Sequence, residues 1–441
     1  MELTSEKVAL LLKGKHIGTP QRFRSACIDS RQVEEGSLFV ALKGSRHDGH
    51  DFVMQALQKG CVGALVEREV PIPEGKFLIV VDNTLRALQK LAKYKRENFS
   101  GTVVGIAGSA GKTTTKEMIA FLLSKVGKTC KTPRNLNSQV GVPLSVINFD
   151  SDCEYWVVEM GASQKGDVRR LVQIVKPSVR VITSIGEEHL ETFGCLDDVV
   201  LGNGEIFSDM HEEDIGVVPS YVYECYKDYK VITFGDGSEF EARDVSLSLE
   251  GVSFNVQGVR IFIPIPSFAV VENALCSLAT IKAMGLDWKK LAENLSQFKP
   301  VEGRFRVIKA GPNTLIDDSY NANPPSVRMA LKTLSRLPGK RMAVLGDMLE
   351  LGSDSERYHR EIGSLCAELG IDECVFYGKE MFYAYQECKR LKQECYHFDE
   401  EDELLSLIKG KYGWIILFKG SRGMRMERFI ERLLNDWHFS I

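Results

Sequence analysis

From Gly101 onward the chain repeats one pattern that leaves little choice of fold. The apolar runs "TVVGIAG", "YWVVEMG" and "VRVITSIG" each end in glycine or a polar residue, and helical segments lie between them. Unbroken apolar runs belong to strands covered on both faces, and strands separated by helices pair in parallel through crossovers. A parallel sheet wrapped by helices is therefore expected. The rhythm pauses over residues 231–265, where polar and apolar residues alternate between glycine turns. That pattern predicts antiparallel hairpins at the sheet's edge. A helix from Val271 to Met284, stopped by Gly285, should follow. After "VEGRFRV" the strand–helix alternation resumes, with "TLIDDSYNANPP", "RMAVLGD", "ECVFYGKE" and "WIILFKGSRG" as four further strand ends. The first residues are shorter mixed elements, a strand at "SLFVALKG" and a helical pattern from Phe52. A chain of 441 residues exceeds one core. The expected class is α/β with three domains, at 1–97 (small, mixed α/β), 98–302 (a central parallel-sheet domain with edge hairpins) and 303–441 (Rossmann-like). No Gly-x-Gly-x-x-Gly follows a strand in the last domain, so dinucleotide binding is not indicated.

One strand end carries chemistry in its own right. In "GIAGSAGKTTTKE", residues 105–117, Gly108 and Gly111 permit a tight turn, with Ser109 and Ala110 between them. Lys112 supplies a mobile positive charge, Thr113 a hydroxyl suited to Mg2+, and Thr114 a second candidate. The helix after it places Met118, Ile119, Leu122, Leu123 and Val126 on one face. A glycine-rich turn with an incidental lysine would also read this way. A buried strand before and an amphipathic helix after it favour a nucleotide. The strict Gly-x4-Gly-Lys-Thr spacing is not met, because Ile106 stands where the first glycine belongs. Switches, motors, kinases and ligases all use such loops. The absence of an Asn-Lys-x-Asp guanine reader disfavours a GTPase.

Composition excludes more than it assigns. A formal charge of −4 without a basic stripe gives no general affinity for nucleic acid. No apolar run approaches the roughly 18 residues of a membrane span. The N-terminal "MELTSEKVALLLKGKH" is too acidic and its apolar stretch too short for a signal peptide. The 11 cysteines are scattered singly with no C-x-x-C. Reduced core thiols in a cytoplasmic enzyme are expected ahead of disulfides or zinc.

Read in order, "GSAGKTTTKE", "NLNSQVGVP", "VVEMGAS", "GEEHLETFG", "GRF", "DDSYNANP", "LGDMLELG" and "FKGSRGMRME" resemble the Mur ligase family of peptidoglycan synthesis. The N-terminal "DSRQVEEGSLFVALKGSRHDGHDF" fits as well, so the resemblance spans nearly the whole chain. "YNANP" points to the member that adds a dipeptide. In this family the loop is a shortened Gly-x-x-Gly-Lys-Thr, which accounts for Ile106. The resemblance implies ATP and Mg2+ as cofactors, with a UDP-N-acetylmuramoyl-tripeptide and D-alanyl-D-alanine as substrates. It implies an acyl-phosphate intermediate and a cytoplasmic setting, and a monomer is expected.

It also implies roles for individual residues. Lys112 would meet the β- and γ-phosphates. Thr113, Glu159 and His189 would serve Mg2+, with Lys112, Glu159, His189 and Arg304 forming the catalytic set. ATP would further contact Gly108, Ser109, Ala110, Gly111, Thr114, Asn273, Asp317 and Asn321. Ser30, Arg31, Asp48 and His50 would bind the UDP-sugar in the first domain, with Asn135, Asn137 and Ser163 nearer its sugar and peptide. Asn323, Lys419, Ser421 and Arg422 would bring the dipeptide from the last domain, which should close over ATP. Taken singly, these Ser, Asp, Asn and His residues are as readily turn formers or surface groups.

Three positions depart from the family. A lysine, carbamylated to help hold a second Mg2+, usually precedes "GEIF", and Asn203 stands there, leaving Glu205 as a neighbouring acid that could substitute. Ser184 replaces a usual asparagine, and Ala269-Val270 a usual His-Asn. The alternatives are a sister ligase adding one amino acid, a folate polyglutamyl ligase, or a nucleotide-binding relative with impaired catalysis.

Overall fold

The computed structural model describes residues 3–438 and consists of three units, each built on a largely parallel sheet. The first sheet runs Lys15–Gly18, Phe77–Val80, Gly63–Val66, Leu38–Val40, Ala26–Cys27, and only its first pair is antiparallel. The helix Thr84–Glu97 closes this unit and is tied to the next. Lys95 Nζ donates to the Ile147 carbonyl at 2.6 Å, and Arg96 Nε to that of Val175 at 2.6 Å.

The central sheet has six parallel strands in the order Val231–Phe234, Ile215–Pro219, Val179–Ile182, Thr102–Ala107, Tyr155–Glu159, Thr129–Lys131. Thr102–Ala107 is first in the chain yet lies in the middle, because later strands were added on both sides of it. Such a reversal opens a crevice at the strands' carboxyl ends. The crevice falls where Ala107 leads into the glycine loop and Glu159 ends the neighbouring strand. Val103, Val104, Ile106 and Ala107 are fully buried, as a strand covered by helices on both faces requires.

The last sheet runs Arg306–Ala310, Asn313–Asp317, Trp414–Lys419, Lys340–Gly346, Glu373–Tyr377, Cys395–Phe398, antiparallel only in its first pair. The carboxyl ends at Asp317 and Lys419 face the central unit across the crevice.

Four expectations are corrected. Val231–Phe234 is the edge strand of the parallel sheet, and antiparallel pairing begins only after the Gly235 and Gly237 turn, in the sheet Arg243–Ser248, Gly251–Val256, Val259–Ile263. The following helix is Phe268–Ala283, starting three residues early, with extended Ser267 at its N-cap position and the Phe268 N–H donating to Thr333 Oγ1 at 3.2 Å. Val126 lies beyond the end of helix Lys112–Leu123 and is exposed, whereas Met118, Ile119, Leu122 and Leu123 are buried. Cysteines are not all reduced thiols: Cys130 and Cys153 form a disulfide. Parallel pairing of Thr129–Lys131 with Tyr155–Glu159 sets Cys130 beside the turn that holds Cys153, a proximity that spacing along the chain does not reveal.

Candidate active site

The glycine loop is fixed by its surroundings. Gly108 has φ +132° and a Cβ there would lie 2.3 Å from Thr183 Oγ1; Gly111 has φ +81° and a Cβ would lie 2.4 Å from Asn273 Oδ1. No other residue type meets both demands at either position. Ser184 clamps the loop, its carbonyl accepting the Ser109 N–H at 2.8 Å and its hydroxyl the Ala110 N–H at 2.9 Å. The smaller serine thus has a defined task at this departure from the family. Helix Lys112–Leu123 then begins at the loop's end, and its first N–H groups lack partners within the helix, which suits an anion.

Two cavities flank this loop, between the central and last units. The first, about 500 Å³, is lined by Lys112, Thr113, Glu159, Glu188, His189 and Arg304 among others. Lys112 Nζ rests on the Gly108 carbonyl and lies 3.5 Å from Glu188 Oε2. Thr113 Oγ1 is 3.3 Å from Glu159 Oε1, which also accepts from Asn137 Nδ2 at 2.9 Å. Glu159 is buried, and its Oε2 has no hydrogen-bond partner. Lys116, fully buried, lies 3.4 Å from that oxygen and donates to the Arg134 carbonyl at 2.6 Å. His189 has φ +45° and pairs through Nδ1 with Glu350 of the last unit.

These donors fit Mg2+. A hydroxyl and a buried carboxylate oxygen with no hydrogen-bond partner are hard ligands, and Mg2+ takes few protein ligands, leaving the rest to phosphates and water.

The second cavity, about 410 Å³, has walls that include Ile185, Phe234, Ile265, Val270 and Pro325, with Asn273 and Thr114 at its loop side. An apolar slot with a few polar groups beside a phosphate loop has the form of a base-binding pocket. Arg304 lines both cavities. Its guanidinium lies 4.2 Å over the Tyr320 ring, Nη2 reaches Thr113 Oγ1 at 3.5 Å, and its buried Nε has no partner. Between the units, Asn323 Nδ2 donates to the Ser109 carbonyl at 3.3 Å and Arg328 Nη1 to Glu187 Oε2 at 3.1 Å.

Comparison with known proteins matches this architecture along the chain. Residues 23–97 match the Mur ligase family catalytic domain, 106–281 the Mur ligase middle domain, and 303–422 the Mur ligase glutamate ligase domain. This chain belongs to the Mur ligase family. A UDP-N-acetylmuramoyl-tripeptide--D-alanyl-D-alanine ligase of Bacillus subtilis (strain 168) is 36% identical, over 98% of both chains. The protein of that name from Escherichia coli (strain K12) is 32% identical, again over 98% of both. Among solved structures, MurF from Acinetobacter baumannii superposes with a TM-score of 0.90 at 31% identity, covering 99% of each chain. A MurF ligase from Thermotoga maritima in complex with ADP gives 0.83 at 31% identity, over 95% of this chain and 99% of that one. The three-part Mur ligase fold expected from the motifs is the fold observed.

The first cavity of this Mur ligase also gathers Asn135, Asn137, Ser163, Asn321, Asn323 and Arg422. Asn321 lines the first cavity rather than the apolar slot, its carbonyl taken by Lys419 at 2.9 Å and its Oδ1 by the Arg422 N–H at 3.2 Å. Asp317 turns inward, accepting from the Ser319 hydroxyl at 2.6 Å, and lines neither cavity. Its neighbour Asp318 lines the second cavity with Lys419 and pairs with it at 2.7 Å. Burial pushes the Asp318 carboxyl up and the Lys419 ammonium down. Ser421 is buried between the Leu349 N–H and the Ala322 carbonyl.

In the first unit, Ser30, Arg31, Asp48 and His50 lie away from both cavities. Ser30 donates to Gln55 Oε1 at 2.7 Å, and exposed Arg31 pairs with Asp29 at 2.8 Å. His50 is buried with both nitrogens engaged, Nδ1 by Asp48 at 2.6 Å and Nε2 by the Glu67 N–H at 2.8 Å. The His50 backbone N–H, its ring and Arg68 hold the Asp48 carboxyl well below the usual range.

Asn203 is 1% exposed. Its Oδ1 accepts the Gly108 N–H at 2.8 Å, and its Nδ2 faces Glu188 Oε1 at 3.3 Å and the Val199 carbonyl at 3.1 Å. Every polar atom of this side chain is thereby committed. Glu205 lines neither cavity, and its carboxylate accepts the N–H groups of Gly166 at 2.7 Å and Arg169 at 3.2 Å, capping helix Asp167–Val175. Sequence reasoning missed Glu188, Lys116, Asp318 and Glu350. The carboxylate before His189 was visible in "GEEHLE", but nothing local ties it to Lys112.

Proposed function

We infer that this chain uses ATP to join D-alanyl-D-alanine to the terminal carboxylate of a UDP-N-acetylmuramoyl-tripeptide, the last precursor step of peptidoglycan synthesis in the cytoplasm. Full-length similarity to ligases of that name supports the substrate assignment. The observation that carries the chemistry is the glycine loop between two cavities, with Lys112 on the wall of the first and Arg304 lining both.

ATP would lie with its base in the apolar slot and its phosphates along the loop toward Lys112. The substrate carboxylate, approaching through the first cavity, attacks the γ-phosphorus. A new O–P bond forms and the bond to the β,γ-bridging oxygen breaks, releasing ADP. Lys112, once drawn to the phosphates, and Arg304 offset the negative charge gathered there, so that little reorganisation is left for the step itself. Mg2+, held by Thr113 and Glu159, would supply further neutralisation of phosphate charge. The amine of D-alanyl-D-alanine, presented from the side of Asn323 and Arg422, then attacks the acyl carbon. The C–N bond forms, the C–O bond to phosphate breaks, and the amine's proton leaves to solvent. Closure by the last unit keeps water from the acyl phosphate.

The test is phosphate release by purified protein with Mg2+, ATP and both co-substrates. Release that requires both supports this ligase. Release with a single amino acid or a folate supports a sister enzyme, and none supports a nucleotide-binding relative without catalysis.

A further inference from the structure

Glu188 is a buried carboxylate, 6% exposed, on the wall of the first cavity. Asn203 Nδ2 holds its Oε1 at 3.3 Å, and Lys112 Nζ faces its Oε2 at 3.5 Å. Lys112 belongs to the glycine loop, and phosphates bound at that loop draw its ammonium toward them. Glu188 would then remain buried, charged and without a cation, facing phosphate oxygens of the same sign. A buried charge that loses its partner is costly. The same wall carries Glu159, whose Oε2 is buried without a hydrogen-bond partner.

We propose that Glu188 exchanges cations: it pairs with Lys112 in the resting enzyme, and takes the divalent cation that arrives with the nucleotide once Lys112 moves to the phosphates. Asn203 is the positioning residue. Its amide orientation is fixed because the oxygen accepts from Gly108 while the nitrogen donates to Glu188, so one side chain sets both the loop and the carboxylate. A lysine at 203 could not accept from Gly108. The proposal rests on reading the cavity as an ATP site and adds that nucleotide and cation binding are linked through Glu188.

The test is thermodynamic and needs no turnover. Affinity for a non-hydrolysable ATP analogue is measured by calorimetry with EDTA and with Mg2+, and the ratio is the coupling. Glu188→Gln keeps the shape and can still accept from Asn203. It should bind the analogue more tightly in EDTA and reduce the coupling by about tenfold. Asn203→Asp keeps the Gly108 contact but sets a second carboxylate beside Glu188. It should weaken binding in EDTA and raise the coupling. Opposite movements by two isosteric variants, each checked by thermal unfolding, are not what a purely structural role produces. Unchanged coupling in Glu188→Gln, or both variants shifting it the same way, overturns the proposal. Failure of the unaltered enzyme to bind the analogue would instead overturn the ATP-site reading.

Discussion

Replacing Arg304 with alanine should separate catalysis from stability. The guanidinium stands 4.2 Å over Tyr320, touches Thr113 Oγ1 at 3.5 Å, and keeps a buried Nε without a partner. A donor buried unsatisfied in the resting enzyme is poised for an acceptor that arrives later, here a phosphate oxygen. Removing one preorganised donor from developing charge costs about 2.7–4 kcal/mol, or roughly a hundred- to a thousandfold in kcat. Stability should change little. Losing the cation–π contact costs about 1 kcal/mol, and removing the orphaned donor offsets part of it. Lysine keeps the charge without the planar fork or the stacking, so Arg304→Lys should recover only part of the rate. The assay is phosphate release with both co-substrates saturating, fitted for kcat and KM of ATP, alongside thermal unfolding. A fall in kcat of less than about threefold, near 0.7 kcal/mol, would refute the reasoning. So would a rate loss that merely tracks a large fall in Tm.

Gly111→Ala meets Asn273 Oδ1 at 2.4 Å with φ at +81°; a strain of about 1–3 kcal/mol should appear as weaker nucleotide binding in calorimetry, and unchanged affinity would count against the loop's role. Arg328→Ala removes the ion pairs to Glu187 at 3.1 Å and Glu361 at 2.9 Å. Small-angle scattering should then show a more open particle that compacts with ATP, while a profile identical to the parent would exclude this contact as a latch. His359 is buried and accepts the Met348 N–H through Nε2 at 3.1 Å, so burial holds its pKa below 6.5. The unfolded chain takes up this proton first, so stability should fall as pH drops through 6.5 toward the lower folded value. His359→Gln should flatten that slope in thermal melts, and an unaltered slope would assign it to other groups.

What could be read from the chain was local in character. Five apolar residues ahead of Gly108 specify a buried strand, and two glycines and a lysine specify a phosphate loop, because each pattern is contained in about a dozen neighbouring residues. The order of motifs was enough to identify the family. Edges were less legible. Val231–Phe234 has the same alternation whether its partner runs parallel or antiparallel, and Val126 continues a helical period that the chain does not follow.

From the chain alone came the fold class, the family and the loop, together with Lys112, Glu159 and Arg304 as residues that the fold then gathers on one cavity. Which of two adjacent aspartates reaches the cavity was set by packing. Successive residues at a strand's end point to opposite sides, so Asp317 turns to Ser319 while Asp318 meets Lys419. Likewise His50, a plausible ligand on paper, has both nitrogens consumed by Asp48 and Glu67. Asn203 was visible as a departure but not as a bridge. Its meaning comes from Gly108, 95 positions away, and from Glu188. A hydrogen bond is set by distance in space, and the packing of the central sheet brings these three groups together.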